Sequence, residues 1–178
     1  MASSFLLAGS TKLTDAPKAI QFDPTKVLTY TNRGAAYANL KQNDKAIGDY
    51  SKAIELDPKQ ALPYTNRGEA FHDLKEYDLA KNDYTKAIEL NPTNTLAYTS
   101  RGAVYKTLKQ YQKAISDFSK VIELDSTDGL AFTNRGNCYR ILRHYEQAIA
   151  DYGKFIKLDP TKFLAYLLWV YANNLIDR

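Results

Sequence analysis

The sequence predicts an all-α solenoid of antiparallel helix pairs, on three observations. The tetrapeptide TNRG stands at 31–34, 65–68 and 133–136, with TSRG at 99–102, so the interval is 34 residues each time. Aligning on its glycine gives four full units, 27–60, 61–94, 95–128 and 129–162, whose columns hold matching residue types. Inside each unit the apolar and small residues recur three or four positions apart, the spacing of one helix face.

Taken in chain order, segment 1–17 is expected to be poorly ordered. Residues 18–24, KAIQFDP, match KAIELDP at 52–58, and the match stops at Pro17, which would break a longer helix. Segment 18–26 therefore reads as the tail of an incomplete unit. In the first full unit, Tyr30, Arg33, Gly34, Tyr37 and Leu40 form the stripe of one helix. KQND at 41–44 reads as a turn, with Asn43 or Asp44 as N-cap of the next helix. Ala46, Tyr50, Ala53 and Ile54 give the second stripe, and DPKQ at 57–60 ends it, because the residue before proline is pushed out of the helical region.

The same columns recur in the later units: Tyr64, Tyr98 and Phe132; Gly68, Gly102 and Gly136; Ala80, Ala114 and Ala148; Tyr84, Phe118 and Tyr152. Small residues at the glycine and alanine columns let facing helices approach closely, and the aromatic columns fill the space beside them. Two departures stand out: Ser126 replaces proline, and Val121 and Phe155 replace the alanine of Ala53 and Ala87. Segment 163–178 falls where the first helix of a fifth unit belongs. Phe163 and Tyr166 fit the spacing, whereas Val170 replaces glycine and the segment 163–176 is apolar nearly all round. Three roles fit it: an internal helix of a longer array, a self-association surface giving a homo-oligomer, or a capping helix.

Arg33, Arg67, Arg101 and Arg135 precede the four glycines, and Asp49, Asp83, Asp117 and Asp151 share one column of the second helices. In hairpins turning near 42–43 and its equivalents, each Arg lies at the height of the Asp of its own unit. An Arg–Asp ladder is therefore expected along the stack, adding register more surely than stability.

The 34-residue helix–turn–helix with these residues at these offsets closely resembles the tetratricopeptide repeat over 27–162. The resemblance implies a right-handed superhelix whose first helices line a concave face, and a general scaffold for binding proteins or peptides. It places the column Asn32, Asn66, Ser100, Asn134 on that face, where amides can donate to and accept from a peptide main chain. Ser100, being shorter, would leave a gap. Neighbouring groove columns are Thr31, Thr65, Thr99, Thr133; Ala35, Glu69, Ala103, Asn137; and Ala38, His72, Lys106, Arg140. Glu69 and Asp73 could meet basic ligand residues, and Lys106 and Arg140 acidic ones. Leu28, Leu62, Leu96, Leu130 and Leu164 either line the groove or pack between units. Relatives that clamp an acidic chaperone C-terminus carry Lys in the Thr31-type and Leu28-type columns and Arg in the Asn column of a third repeat. This chain has Thr, Leu and Ser100 or Asn134 there, so that partner is not expected.

Composition narrows the function further. Hydrophobic residues make up 44% and charged residues 25%, as in ordinary soluble chains, and the net charge is only +4 with no basic block, so nucleic acid is not an expected partner. The single cysteine, Cys138, excludes an internal disulfide and fits a reducing compartment, and it falls in a small-residue packing column. No apolar run reaches the ~18–20 residues of a membrane span, and MASSFLLAGSTK lacks a basic n-region, so a cytoplasmic protein is expected. His72 and His144 lack ligand spacing, and no catalytic or nucleotide-binding motif is present. The expectation is a non-catalytic interaction scaffold without metal or cofactor. The alternatives are a module that self-assembles through its open ends, or the substrate-docking part of a larger enzyme.

Overall fold

The computed structural model describes residues 26–161, 166–170 and 172. The expectations for 1–17 and 18–25, and for the remaining residues of 163–178, lie outside the described residues. Eight helices run in order: α1 (Val27–Asn39), α2 (Asn43–Leu56), α3 (Ala61–Asp73), α4 (Tyr77–Leu90), α5 (Thr95–Thr107), α6 (Tyr111–Leu124), α7 (Gly129–Ile141) and α8 (Tyr145–Leu158). Residues 166–170 and 172 are helical as well, and no strand occurs among the described residues.

The turn inside each unit is closed by a left-handed residue. Lys41, Lys75, Lys109 and Arg143 have φ of 58°, 64°, 58° and 62°. In the first unit the Lys41 N–H donates to the Ala38 carbonyl and the Gln42 N–H to the Tyr37 carbonyl, both at 2.9 Å, the paired bonds of a Schellman ending. Glycine commonly fills this position; here a long basic side chain does. The chain re-enters helix at once, so Gln42 takes the N-cap position with no side-chain cap, and Asn43 is already helical. The expected Asn43 or Asp44 cap is thus corrected: closing the turn through Lys41 moves the non-helical N-cap position to Gln42. Asn43 is instead buried, its Oδ1 unpartnered, and Asp44 lies in the first turn.

Between units the chain turns on an Asx motif. Oδ1 of Asp57, Asn91, Asp125 and Asp159 accepts from the backbone N–H two residues on, at 3.0, 3.1, 2.9 and 3.1 Å. This is why Ser126 can stand where the other units have proline: the side-chain acceptor holds the turn without it.

All consecutive helices pack on one another. Each first helix (α1, α3, α5, α7) also touches the next first helix, while second helices make no comparable contact with each other. The first helices therefore form the inner side of the stack. The core is correspondingly a string of clusters, each joining the second helix of one unit to the first helix of the next. Ala46 and Tyr50 meet Ala70; Ala80 and Tyr84 meet Val104; Ala114 and Phe118 meet Cys138; Ala148 and Tyr152 meet Ala172. Ala172 stands one period beyond Cys138, and Leu168 and Trp169 pack on the same cluster, so this helical segment continues the stack in register.

The glycine of each first helix faces the ring of its own second helix. A Cβ at Gly34, Gly68, Gly102 or Gly136 would stand 2.6, 2.7, 2.9 or 2.8 Å from Cε1 of Tyr50, Tyr84, Phe118 or Tyr152. Phe155, the departure from the alanine column, is matched the same way: a Cβ at Gly129 would collide with its ring. Gly153 differs: Trp169 Nε1 would be 3.8 Å from an added Cβ, an ordinary contact.

Gly48 and Gly68 separate helix propensity from packing. Gly48 is exposed in α2 with nothing near an added Cβ, so Gly48→Ala should stabilise by about 1 kcal/mol. Gly68→Ala gains the same propensity but drives a methyl into the fully buried Tyr84 ring, and overpacking of roughly 1–3 kcal/mol should win. Urea unfolding of the two variants checks the opposite signs.

Candidate binding groove

Three of the four repeat arginines tie three helices together. Arg67 Nε and Nη2 donate to Asp83 Oδ2 and Oδ1 at 2.7 and 2.8 Å, a bidentate pair across α3 and α4. Its Nη1 reaches back to Ser51 Oγ on α2 at 2.9 Å. Arg101 does the same with Asp117 and Thr85, and Arg135 with Asp151 and Ser119. Arg33 pairs with Asp49 at 2.6 and 2.7 Å. Two aromatic rings of its own helix flank every guanidinium; for Arg67 these are Tyr64 and Phe71, each 5.8 Å from ring centroid to Cζ. The hydrogen bonds that Arg67 donates to Asp83 are the main cause that raises its pKa above the ordinary value, against the lowering effect of burial. These pairs sit between helices, with the carboxylates buried, so they are unavailable to a ligand.

One position before each arginine stands the column Asn32, Asn66, Ser100, Asn134. Asn32 and Asn66 are half-buried, and their amides make no hydrogen bond among the described residues. Asn134 differs: its Oδ1 accepts from Lys106 Nζ of the preceding unit at 2.7 Å. Ser100 leaves no gap. Its hydroxyl donates to Glu69 Oε1 on α3, and the Tyr84 hydroxyl donates to that same oxygen at 3.2 Å. Burial, then the Glu69 charge, push the Tyr84 phenol well above its usual range, so it remains a donor. In the last unit Asn137 Oδ1 accepts from the Tyr152 hydroxyl at 2.9 Å, and Arg140 lies against that hydroxyl.

The threonine column requires a correction. Thr31 and Thr65 are 3% and 1% exposed, and their hydroxyls donate to the carbonyls of Val27 and Ala61 four residues back. Thr65 Oγ1 also accepts from Asn94 Nδ2 of the next unit at 3.0 Å. They therefore bind the inside of the fold and cannot line a groove. Thr99 and Thr133 are half-buried, with Thr133 bonded back to Gly129. The leucine column resolves toward the surface: Leu28, Leu62 and Leu130 are 62%, 49% and 68% exposed, and Leu96 is half-buried. On α1 and α3 the order Leu28, Asn32, Ala35, Asn39 and Leu62, Asn66, Glu69, Asp73 follows one helical stripe.

The tetratricopeptide repeat profile matches residues 27–60, 61–94, 95–128 and 129–162. The chain belongs to the tetratricopeptide repeat family. Among solved structures, MamA is similar at 25% identity over 84% of this chain and 88% of that one, with a TM-score of 0.79. The first tetratricopeptide domain of Spaghetti (RPAP3), solved bound to the HSP90 peptide SRMEEVD, is 31% identical over 67% of this chain and 95% of its own, with a TM-score of 0.65. The Arabidopsis OM64 domain is 30% identical over 64% and 94%, with a TM-score of 0.62. No curated protein matches the chain.

As a tetratricopeptide repeat array the chain presents an inner face of mixed character: open amides in units one and two, internally bonded polar groups in units three and four. The remaining polar chemistry is sparse. Burial pushes the Cys138 thiol up to about 11, so at neutral pH it stays protonated and acts as a packing group. The His72 ring is half-buried 5.7 Å from the Tyr77 ring, and exposed His144 lies 6.1 Å from Tyr139. Among the described residues no three His, Cys, Asp or Glu side chains are grouped to hold a metal ion, and no helix is long and apolar enough to cross a membrane. Sequence reasoning missed the hydroxyls of Ser51, Thr85 and Ser119 as arginine partners. Their signal was present as a hydroxyl column, replaced by Gly153 only where Trp169 takes the arginine position.

Removing one partner of a rung should be costly, because the other remains largely desolvated. Asp83→Ala is expected to lower stability by about 2–4 kcal/mol. The double variant Arg67→Met/Asp83→Leu should be less destabilised than Asp83→Ala alone. Thermal unfolding of the three proteins measures the difference.

Proposed function

We propose that the chain is a non-catalytic scaffold that holds an extended segment or a helix of a protein partner along the inner face of its first helices. The carrying observation is the pair of open amides, Asn32 and Asn66, one repeat apart on that face beside the exposed Leu28 and Leu62. Stacked helices fix those amides before a ligand arrives, so the protein loses little ordering entropy on binding. Each amide contact with a peptide main chain contributes roughly 1 kcal/mol, so several contacts are needed for micromolar affinity. The solved Spaghetti domain with its bound peptide supports peptide capture by this fold. Its acidic ligand does not transfer to this chain, which has Leu, Thr and Ser100 where we infer cationic clamp residues would be required.

Self-association is the second reading, favoured by Tyr166 and Leu167, which are 54% and 47% exposed on a helical segment that otherwise docks in register.

Peptide-display selection on the purified chain, run in parallel on Asn32→Ala/Asn66→Ala, tests the first reading. Segments enriched on the parent and lost on the variant are the expected result; identical enrichment on both removes the groove. Sedimentation across a concentration series tests the second. Association abolished by Tyr166→Ser/Leu167→Ser is its expected result, and a monomer at every concentration rejects it.

A further inference from the structure

Glu69 is the one acidic residue of its column, where the other units carry Ala35, Ala103 and Asn137. Its carboxylate is exposed on the inner stripe of α3, yet it is held from two sides. The Tyr84 hydroxyl comes from α4 of the same unit and the Ser100 hydroxyl from α5 of the next, and both donate to Oε1. Neither donor is charged, and no Lys or Arg pairs with Glu69 among the described residues. Oε2 accepts no hydrogen bond among the described residues.

The fold does not require a carboxylate here. Asn137 accepts the equivalent Tyr152 hydroxyl with a neutral oxygen, and Ala35 stands beside Tyr50 with no acceptor at all. Phe118 removes the hydroxyl where Ala103 removes the acceptor. The negative charge is thus surplus to the packing, and the Ser of TSRG is the residue that pins it. Asn at position 100 would put a bulkier amide where the short hydroxyl now meets Oε1. Asn66 lies three residues before Glu69 on the same stripe of α3, and Asn32 holds the equivalent place one unit back on α1.

We propose that Glu69, pinned by Tyr84 and Ser100, is a cation-binding position in the groove that selects a ligand segment carrying a Lys or Arg side chain. The segment's main chain lies on Asn32 and Asn66, and an apolar neighbour rests on Leu28 or Leu62. A carboxylate already oriented by two hydroxyls presents its free oxygen without reorganising, and a charge-assisted bond to an ammonium or guanidinium is about twice as strong as a neutral one. Asn134 stands two units on from Asn66, and its Oδ1 already accepts from Lys106. The inference rests on the groove reading above.

The test uses the full chain and a display library of random eight-residue segments, followed by titration of fluorescein-labelled hits with and without their basic residue. The parent should enrich segments with Lys or Arg at one fixed position. Glu69→Gln keeps the acceptor for both hydroxyls and should weaken those hits roughly tenfold. Glu69→Lys should turn the preference to Asp or Glu, and Asn134→Ala should bind as the parent does. Circular dichroism melts show whether each variant is folded. Hits that need Asn32 and Asn66 but bind Glu69→Gln unchanged, or that show no basic preference, overturn this proposal alone. No enrichment on the parent overturns the groove reading and this inference with it.

Discussion

The structure depends on the arginine rung. A guanidinium that bonds the aspartate of its own second helix, the hydroxyl of the preceding second helix and the faces of two rings fixes three helices at one height. Apolar packing alone would allow helices to slide, since dispersion is weakly directional; the forked geometry of Arg67 on Asp83 admits one register. The rung in turn needs the glycine beside it. Without a side chain at Gly68 the first helix comes close enough for the Tyr84 ring to lie against its backbone. Residues 33 and 34 and their equivalents therefore act as a unit, one polar and one absent side chain, repeated at every hairpin.

Where the rung stops, the packing changes with it. Gly153 stands in the hydroxyl column and Trp169 in the arginine column, with the indole in ordinary contact distance of an added Cβ. Within the last full unit the fit is tighter: the Phe155 ring takes the space that a Cβ at Gly129 would need. There a large residue stands where its facing position shrank, which is how a close-packed interior keeps its density while individual positions vary.

The inner face is a consequence of this frame. Because consecutive first helices pack more closely on one another than second helices do, polar side chains of neighbouring units meet along that side of the stack. Convergence also lets them satisfy one another. Ser100 reaches Glu69 and Lys106 reaches Asn134 across unit boundaries, so half of a seemingly uniform column is occupied from within. A ladder of four like positions becomes two open amides, one hydroxyl bonded to Glu69 and one amide bonded to Lys106.

The 34-residue period, the helix pairs, the packing columns and the Arg–Asp pairing were legible in the chain, because each is a short-range pattern repeated four times, and repetition makes a weak local signal strong. The left-handed Lys41-type turns were not legible, since basic residues carry no preference for that conformation. The burial of Thr31 and Thr65 was equally hidden: a threonine bonded to its own helix and one facing a ligand have the same spacing. Above all, sequence alone aligned the Asn32 column but not which of its members are already hydrogen-bonded. That was decided by contacts between units, where side chains of different repeats compete for the same hydrogen bonds at distances no alignment of columns records.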